Sequence, residues 1–138
     1  MEILKIALKE YGIKEIIGNE NNPRILQYFK EINQSWVKND ETPWCACFVN
    51  WVLKQAGKIG TNALTVRSFL KYGIPTKRPE LGDIVILWKD KKENTFGHIG
   101  FYINENEKNI FVLGGNQSDS VNITAFPKTQ LYEYKKIP

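Results

Sequence analysis

In this chain of 138 residues, chemistry near neutral pH falls first to two thiols, Cys45 and Cys47, and to one imidazole, His98. The two cysteines are one residue apart, too close to staple a fold by closing a long loop. With one histidine and no further cysteine they fall short of the ligands of a closed zinc site. No metal and no cofactor is expected, and the thiols read as reduced.

Thr42-Pro43 is a helix-start signature, with Thr42 as N-cap and Pro43 at the first helical position. That numbering puts Trp44 second and Cys45 third, in the first turn. There, unpaired N–H groups and the helix dipole favour an anion. A thiol's pKa falls in that position, and its thiolate is the reactive form. The same donors can receive an oxyanion forming on a substrate carbonyl. Cys47 lies about 200° further round the helix and cannot face the same site. Among Phe48, Val49, Trp51, Val52 and Leu53 it reads as core. The plainer alternative is that both cysteines are simply buried.

His98 sits in Gly97-His98-Ile99-Gly100, where flanking glycines clear bulk from around the imidazole. If strands 98–103 and 109–116 pair about a turn near 107, residue numbers across the ladder sum to about 214. Asn116 then faces His98 and completes a Cys–His–Asn set: nucleophile, base, and a group that orients the base. A slip of one residue presents Gly115 or Gln117 instead. Asp40 and Glu41, just before the helix, either bind a substrate amine or favour the positive end of its dipole.

The elements that must position these groups are legible in outline. Helical spacing of apolar residues runs over 2–11 and over 23–33, the second opened by Asn22-Pro23. A third helix is expected from Thr42-Pro43 to Ala56, and a fourth from Asn62 to about Tyr72. After Pro79 the pattern turns to strands: 84–88, 98–103, 109–113, 121–126 and 131–135. Helices first and strands afterwards, joined by tight polar turns, predict an α+β fold with an antiparallel sheet. No repeat or linker interrupts the chain, so residues 1–138 are expected to form a single domain.

Composition excludes other classes. Apolar residues at 42% and charged residues at 25% are ordinary for a globular protein. The longest apolar run, Trp44 to Val49, is far short of the ~20 residues of a spanning helix. The net charge of +4 favours a polyanionic partner without selecting one. Nucleic acid is the weakest choice, because the lysines are scattered between acidic neighbours and no reading motif is present. Met1-Glu2-Ile3-Leu4-Lys5 places charges where a signal peptide would need apolar residues.

Four segments occur in order: Asp40-Glu41-Thr42-Pro43-Trp44-Cys45-Ala46, Gly82-Asp83-Ile84-Val85, Gly97-His98-Ile99-Gly100-Phe101 and Gly114-Gly115-Asn116-Gln117-Ser118-Asp119. Together they resemble small papain-like bacterial and phage cell-wall hydrolases of the NlpC and CHAP type. The resemblance runs from about Ile3 to Tyr134. It implies a papain-like fold, helices packed on a C-terminal sheet, that cleaves an amide in the peptide part of peptidoglycan as endopeptidase or amidase, endolysins included. It carries over Cys45 as nucleophile and His98 as general base, with Asn116 in a third position that varies among such families. Trp44, Asp40, Glu41 and Gln117 are the expected substrate contacts. The chain is expected to be monomeric, not to insert into membranes, and to act at the wall after export or phage-mediated release. It departs from the pattern at Cys47, where a small or apolar residue is expected, and no separate wall-binding module is expected. Two other readings stay open. One is a non-catalytic glycan-binding module using exposed aromatics among Trp36, Trp44 and Trp88. The other is a thiol amidase, such as a toxin or effector, acting on another amide.

Overall fold

A computed structural model describes residues 2–16, 21–38, 43–88 and 96–138. Three helices, α1 (Glu2–Lys9), α2 (Pro23–Glu31) and α3 (Cys45–Gln55), precede six strands. These are β1 (Ile74–Thr76), β2 (Ile84–Trp88), β3 (Phe96–Glu105), β4 (Asn109–Gln117), β5 (Ser120–Pro127) and β6 (Leu131–Lys136). All neighbours pair antiparallel, in the order β1-β6-β2-β3-β4-β5. The α+β architecture with helices packed on an antiparallel sheet is therefore present.

The central element is α3. Every residue from Cys45 to Leu53 is buried, as a helix apolar nearly all round must be. It packs on β3 and β4, with α1 and α2 covering its other sides. Strand alternation then divides the sheet. Ile84, Ile86, Ile99, Phe101 and Leu113 join the core shared with the helices. Val85, Leu87, Tyr102, Val112 and Tyr134 form a second cluster.

Polar ties lock the helices around α3. Glu10 is buried and receives Arg24 Nε (2.6 Å), Arg24 Nη2 (2.9 Å) and the Tyr28 hydroxyl (2.7 Å). Asn22 caps α2 as its sequence suggests, its side chain accepting from the Arg24 amide at 2.8 Å. Asn50, buried on α3, was not singled out by the sequence. Its amide donates to Thr61 Oγ1 and the Ala63 carbonyl and accepts from the Thr61 amide, fastening the following loop.

Two expectations are corrected. The helix expected over 62–72 is a short 3-10 turn, Val66–Phe69. Asn62 adopts a left-handed backbone (φ 56°), which cannot open a helix, and the Ser68 hydroxyl bonds back to the Thr65 carbonyl. The sequence also hides β1, because Pro75 lies inside it; proline is tolerated there since β1 is an edge strand.

Candidate active site

Cys45 is the first residue of α3, not the third. Trp44 occupies the cap position, and its carbonyl receives the first intrahelical bond, from the Phe48 amide at 2.9 Å. Thr42, the expected cap, lies outside the described residues, as do Asp40 and Glu41. The thiol still stands in the first turn, where the amides have no partner within the helix.

The sequence expectation of a lowered thiol pKa is reversed. Burial pushes the Cys45 thiol up, and the amides of Ile99, Ala46 and Cys45 itself pull it back only in part. At 8% exposure the loss of water outweighs the helix end. Cys47 is fully buried, and burial raises its pKa as well, with the nearby Cys45 adding to the effect.

The Ile99 amide that faces the sulfur belongs to the residue after His98, so thiol and imidazole meet the same short stretch of β3. His98 pairs with Leu87 in the ladder and follows it to the side of the second cluster, where its ring stacks on Phe126 (5.1 Å, 28°). Among the described residues no hydrogen bond joins sulfur and imidazole. A cleft of about 350 Å³ opens onto the ring, lined by Trp88, Asn116, Gln117, Thr124 and Phe126 among others.

The group that holds the ring is Gln117. His98 Nε2 lies 2.8 Å from Gln117 Oε1. The register behind the sequence arithmetic is present, since Phe101 pairs with Leu113 and Tyr102 with Val112. Beyond Leu113, however, a bulge interrupts β4 between Gly114 and Gln117, and Asn116 turns left-handed (φ 58°). The extra residue moves Asn116 to the cleft wall and swings Gln117 to the ring.

Hydrogen-bond logic fixes the direction of both groups. Gln117 Nε2 faces three acceptors: the Val112 carbonyl (3.1 Å), the Asn122 carbonyl (2.8 Å) and Asn122 Oδ1 (2.9 Å). Its oxygen must therefore face the imidazole, where it can only accept. Neutral His98 thus carries its proton on Nε2 and leaves the Nδ1 lone pair free to act as a base. Burial pushes the His98 pKa down, and the Gln117 hydrogen bond opposes it only in part.

Glycines make this packing possible. A Cβ on Gly114 would stand 2.6 Å from Gln117 Oε1, and one on Gly115 would stand 2.6 Å from Trp44 Cζ3. Trp44 itself is corrected as a substrate contact. Its ring is fully buried against Tyr28 and Phe48, and its Nε1–H donates to Glu15 Oε2 at 2.9 Å. It offers no face to a ligand. Among the described residues, no group of three His, Cys, Asp or Glu could hold a metal ion.

The CHAP domain family model matches residues 37–116, more than half of the chain and the segment that carries Cys45, His98 and Asn116. The chain belongs to the CHAP domain family. Members of this family are generally cell-wall peptidoglycan hydrolases. No curated protein matches this CHAP chain. Among solved structures, the chain is similar to a lipoprotein-like protein of the NLP/P60 family from Staphylococcus aureus, with a TM-score of 0.58. The two are 16% identical, and the match covers 99% of this chain and 41% of that one. This likeness establishes the papain-like NlpC-type fold, while the chain spans about two fifths of the length of that protein. No helix of the described residues is long and apolar enough to cross a membrane.

Proposed function

We propose that this CHAP domain hydrolyses an amide bond in the peptide part of peptidoglycan, with Cys45 as nucleophile and His98 as general base. The observation that carries the reading is the imidazole held by Gln117 with Nδ1 left free, one residue from the amide that faces a helix-end thiol. Residues 1–138 act in this reading as one monomeric catalytic unit at the bacterial wall.

The pKa directions favour a neutral thiol and a neutral imidazole at rest. Beyond Leu113 the described residues form no β3–β4 pair, so the ladder is open between Ile99 and Gly115, and the reading requires sulfur and ring to meet through this gap. His98 Nδ1 takes the thiol proton as sulfur bonds to the substrate carbonyl carbon. The oxyanion so formed is met by amides of the first turn of α3, while Gln117 Oε1 stabilises the imidazolium. Collapse expels the amine, which takes the proton from His98, and leaves a thioester on Cys45. Water, deprotonated by His98, attacks the thioester, releasing the carboxylic acid and restoring the thiol.

Incubating the protein with purified sacculi tests the reading. New amino termini without new reducing sugar ends are expected, and Cys45→Ala should release neither. New reducing ends without new amines would identify a glycosidase and overturn it.

A further inference from the structure

We infer that Asn122 is a positioning residue for this hydrolysis, acting on His98 through Gln117; the inference rests on the roles proposed above for Cys45 and His98. Gln117 is set among left-handed residues, Asn116 (φ 58°) before it and Ser118 (φ 50°) and Asp119 (φ 63°) after it. Residues other than glycine disfavour that region, so three of them around one residue need ties from outside the segment.

Asn122, on β5, ties Gln117 at both its main chain and its side chain. Its Nδ2 donates to the Gln117 carbonyl (2.7 Å) and to Ser120 Oγ (2.8 Å). Its Oδ1 accepts from Gln117 Nε2 (2.9 Å) and from the Thr124 hydroxyl (2.6 Å). A main-chain carbonyl only accepts, so Asn122 Nδ2 must face it and Oδ1 must face the Gln117 amide nitrogen. The order runs on to the ring: Gln117 nitrogen toward Asn122, Gln117 oxygen toward His98, proton on Nε2, lone pair on Nδ1. Released from Asn122, the bulge relaxes toward regular alternation, which returns Asn116 to the place across from His98 and frees the ring to carry its proton on either nitrogen. The Val112 and Asn122 carbonyls remain in any side-chain variant, so the change is partial rather than complete.

His98 is the only histidine in the sequence, so nitrogen NMR of protein labelled in histidine reads one ring, without substrate and without assignment. Above its titration the native ring should show a protonated Nε2 and an unprotonated Nδ1. In Asn122→Ala the two nitrogen shifts should move toward each other as the Nδ1–H form becomes populated. On peptidoglycan its kcat should fall about tenfold with KM little changed, as expected of a misplaced base. Thr124→Val, which removes one donor to Asn122, should move the shifts the same way by less, and it serves if Asn122→Ala fails to fold. Ile123→Ala, beside Asn122 on the same strand, should leave the ring unchanged whatever it does to stability. A native ring without the proton on Nε2, or shifts unchanged in the folded Asn122 or Thr124 variant, overturns the inference. Because the ring is read without turnover, a shifted ring in a protein that cuts no wall would support this inference and overturn only the hydrolase reading.

Discussion

His98 donates to Gln117 at 2.8 Å, although the pairing of Phe101 with Leu113, continued without a break, would set Asn116 across from it. One left-handed residue, Asn116, makes the difference. Gln117→Ala should therefore lower kcat by about 10- to 100-fold, since it removes the group that fixes the base without removing the base. Asn116→Ala should cost only a few-fold, through the cleft wall. Steady-state rates of the two variants decide between them, and an Asn116 variant slower than the Gln117 variant would reverse the assignment.

The same pair marks where sequence reasoning stops. Strand spacing located β3 and β4, and numbers summing to 214 describe Phe101↔Leu113 and Tyr102↔Val112. A bulge shifts the alternation by one residue, but Gly114 and Gly115 carry no side chains in which that shift could be read. Asn116 is among the residue types that tolerate a left-handed backbone, but asparagine is common in ordinary turns as well. Cys45 was legible at a helix mouth, whereas its raised pKa was not, because burial is set by tertiary packing. Asn50 and Asn122 were silent for a related reason: each acts through partners that only the fold brings near.

The two cysteines should separate cleanly. Cys45→Ala should abolish turnover and leave the fold intact. Cys47→Ala should keep most activity and lower unfolding stability by roughly 1–2 kcal/mol, the usual scale for emptying a small core site. Denaturant unfolding alongside wall hydrolysis measures both. An inactive but stable Cys47→Ala would transfer the nucleophile to that position.

The pH dependence follows from the two shifts. His98 lies below its ordinary value of 6.5, so the ring stays a base at 6.5, and activity should fall only as pH drops through its lower folded value. Cys45 lies above its ordinary 9.0, so inactivation by iodoacetamide should be slow near neutral pH and still rising beyond pH 9. A plateau of fast alkylation below pH 6.5 would instead reveal a preformed thiolate–imidazolium pair. Stability carries matching signs. A depressed histidine contributes stability that is present above 6.5 and lost as pH falls through its folded pKa. A raised thiol contributes stability that is present below 9.0 and lost as pH rises through its folded pKa. Melting temperature should hence be highest between those values, and His98→Gln should flatten the acid side.

Adjacent glycines allow the contact with His98 to be tested apart from the core. A methyl group at Gly114 would stand 2.6 Å from Gln117 Oε1 and 3.3 Å from His98 Nε2, so it falls on the polar contact itself. One at Gly115 would meet Trp44 Cζ3 at 2.6 Å and Phe48 Cβ at 2.8 Å, inside the packing of α3 on β4. Gly115→Ala should therefore destabilise by about 1–3 kcal/mol, the usual range for overpacking a core. Gly114→Ala meets the end of a side chain that can turn aside, so stability should change less. The turn breaks the hydrogen bond to His98, and kcat should fall toward that of Gln117→Ala. Combining Gly114→Ala with Gln117→Ala should then add little further loss, because both remove one contact and coupled residues are not additive. Full activity in Gly114→Ala, or losses that multiply in the double variant, would mean that the Gln117 contact does not set the rate.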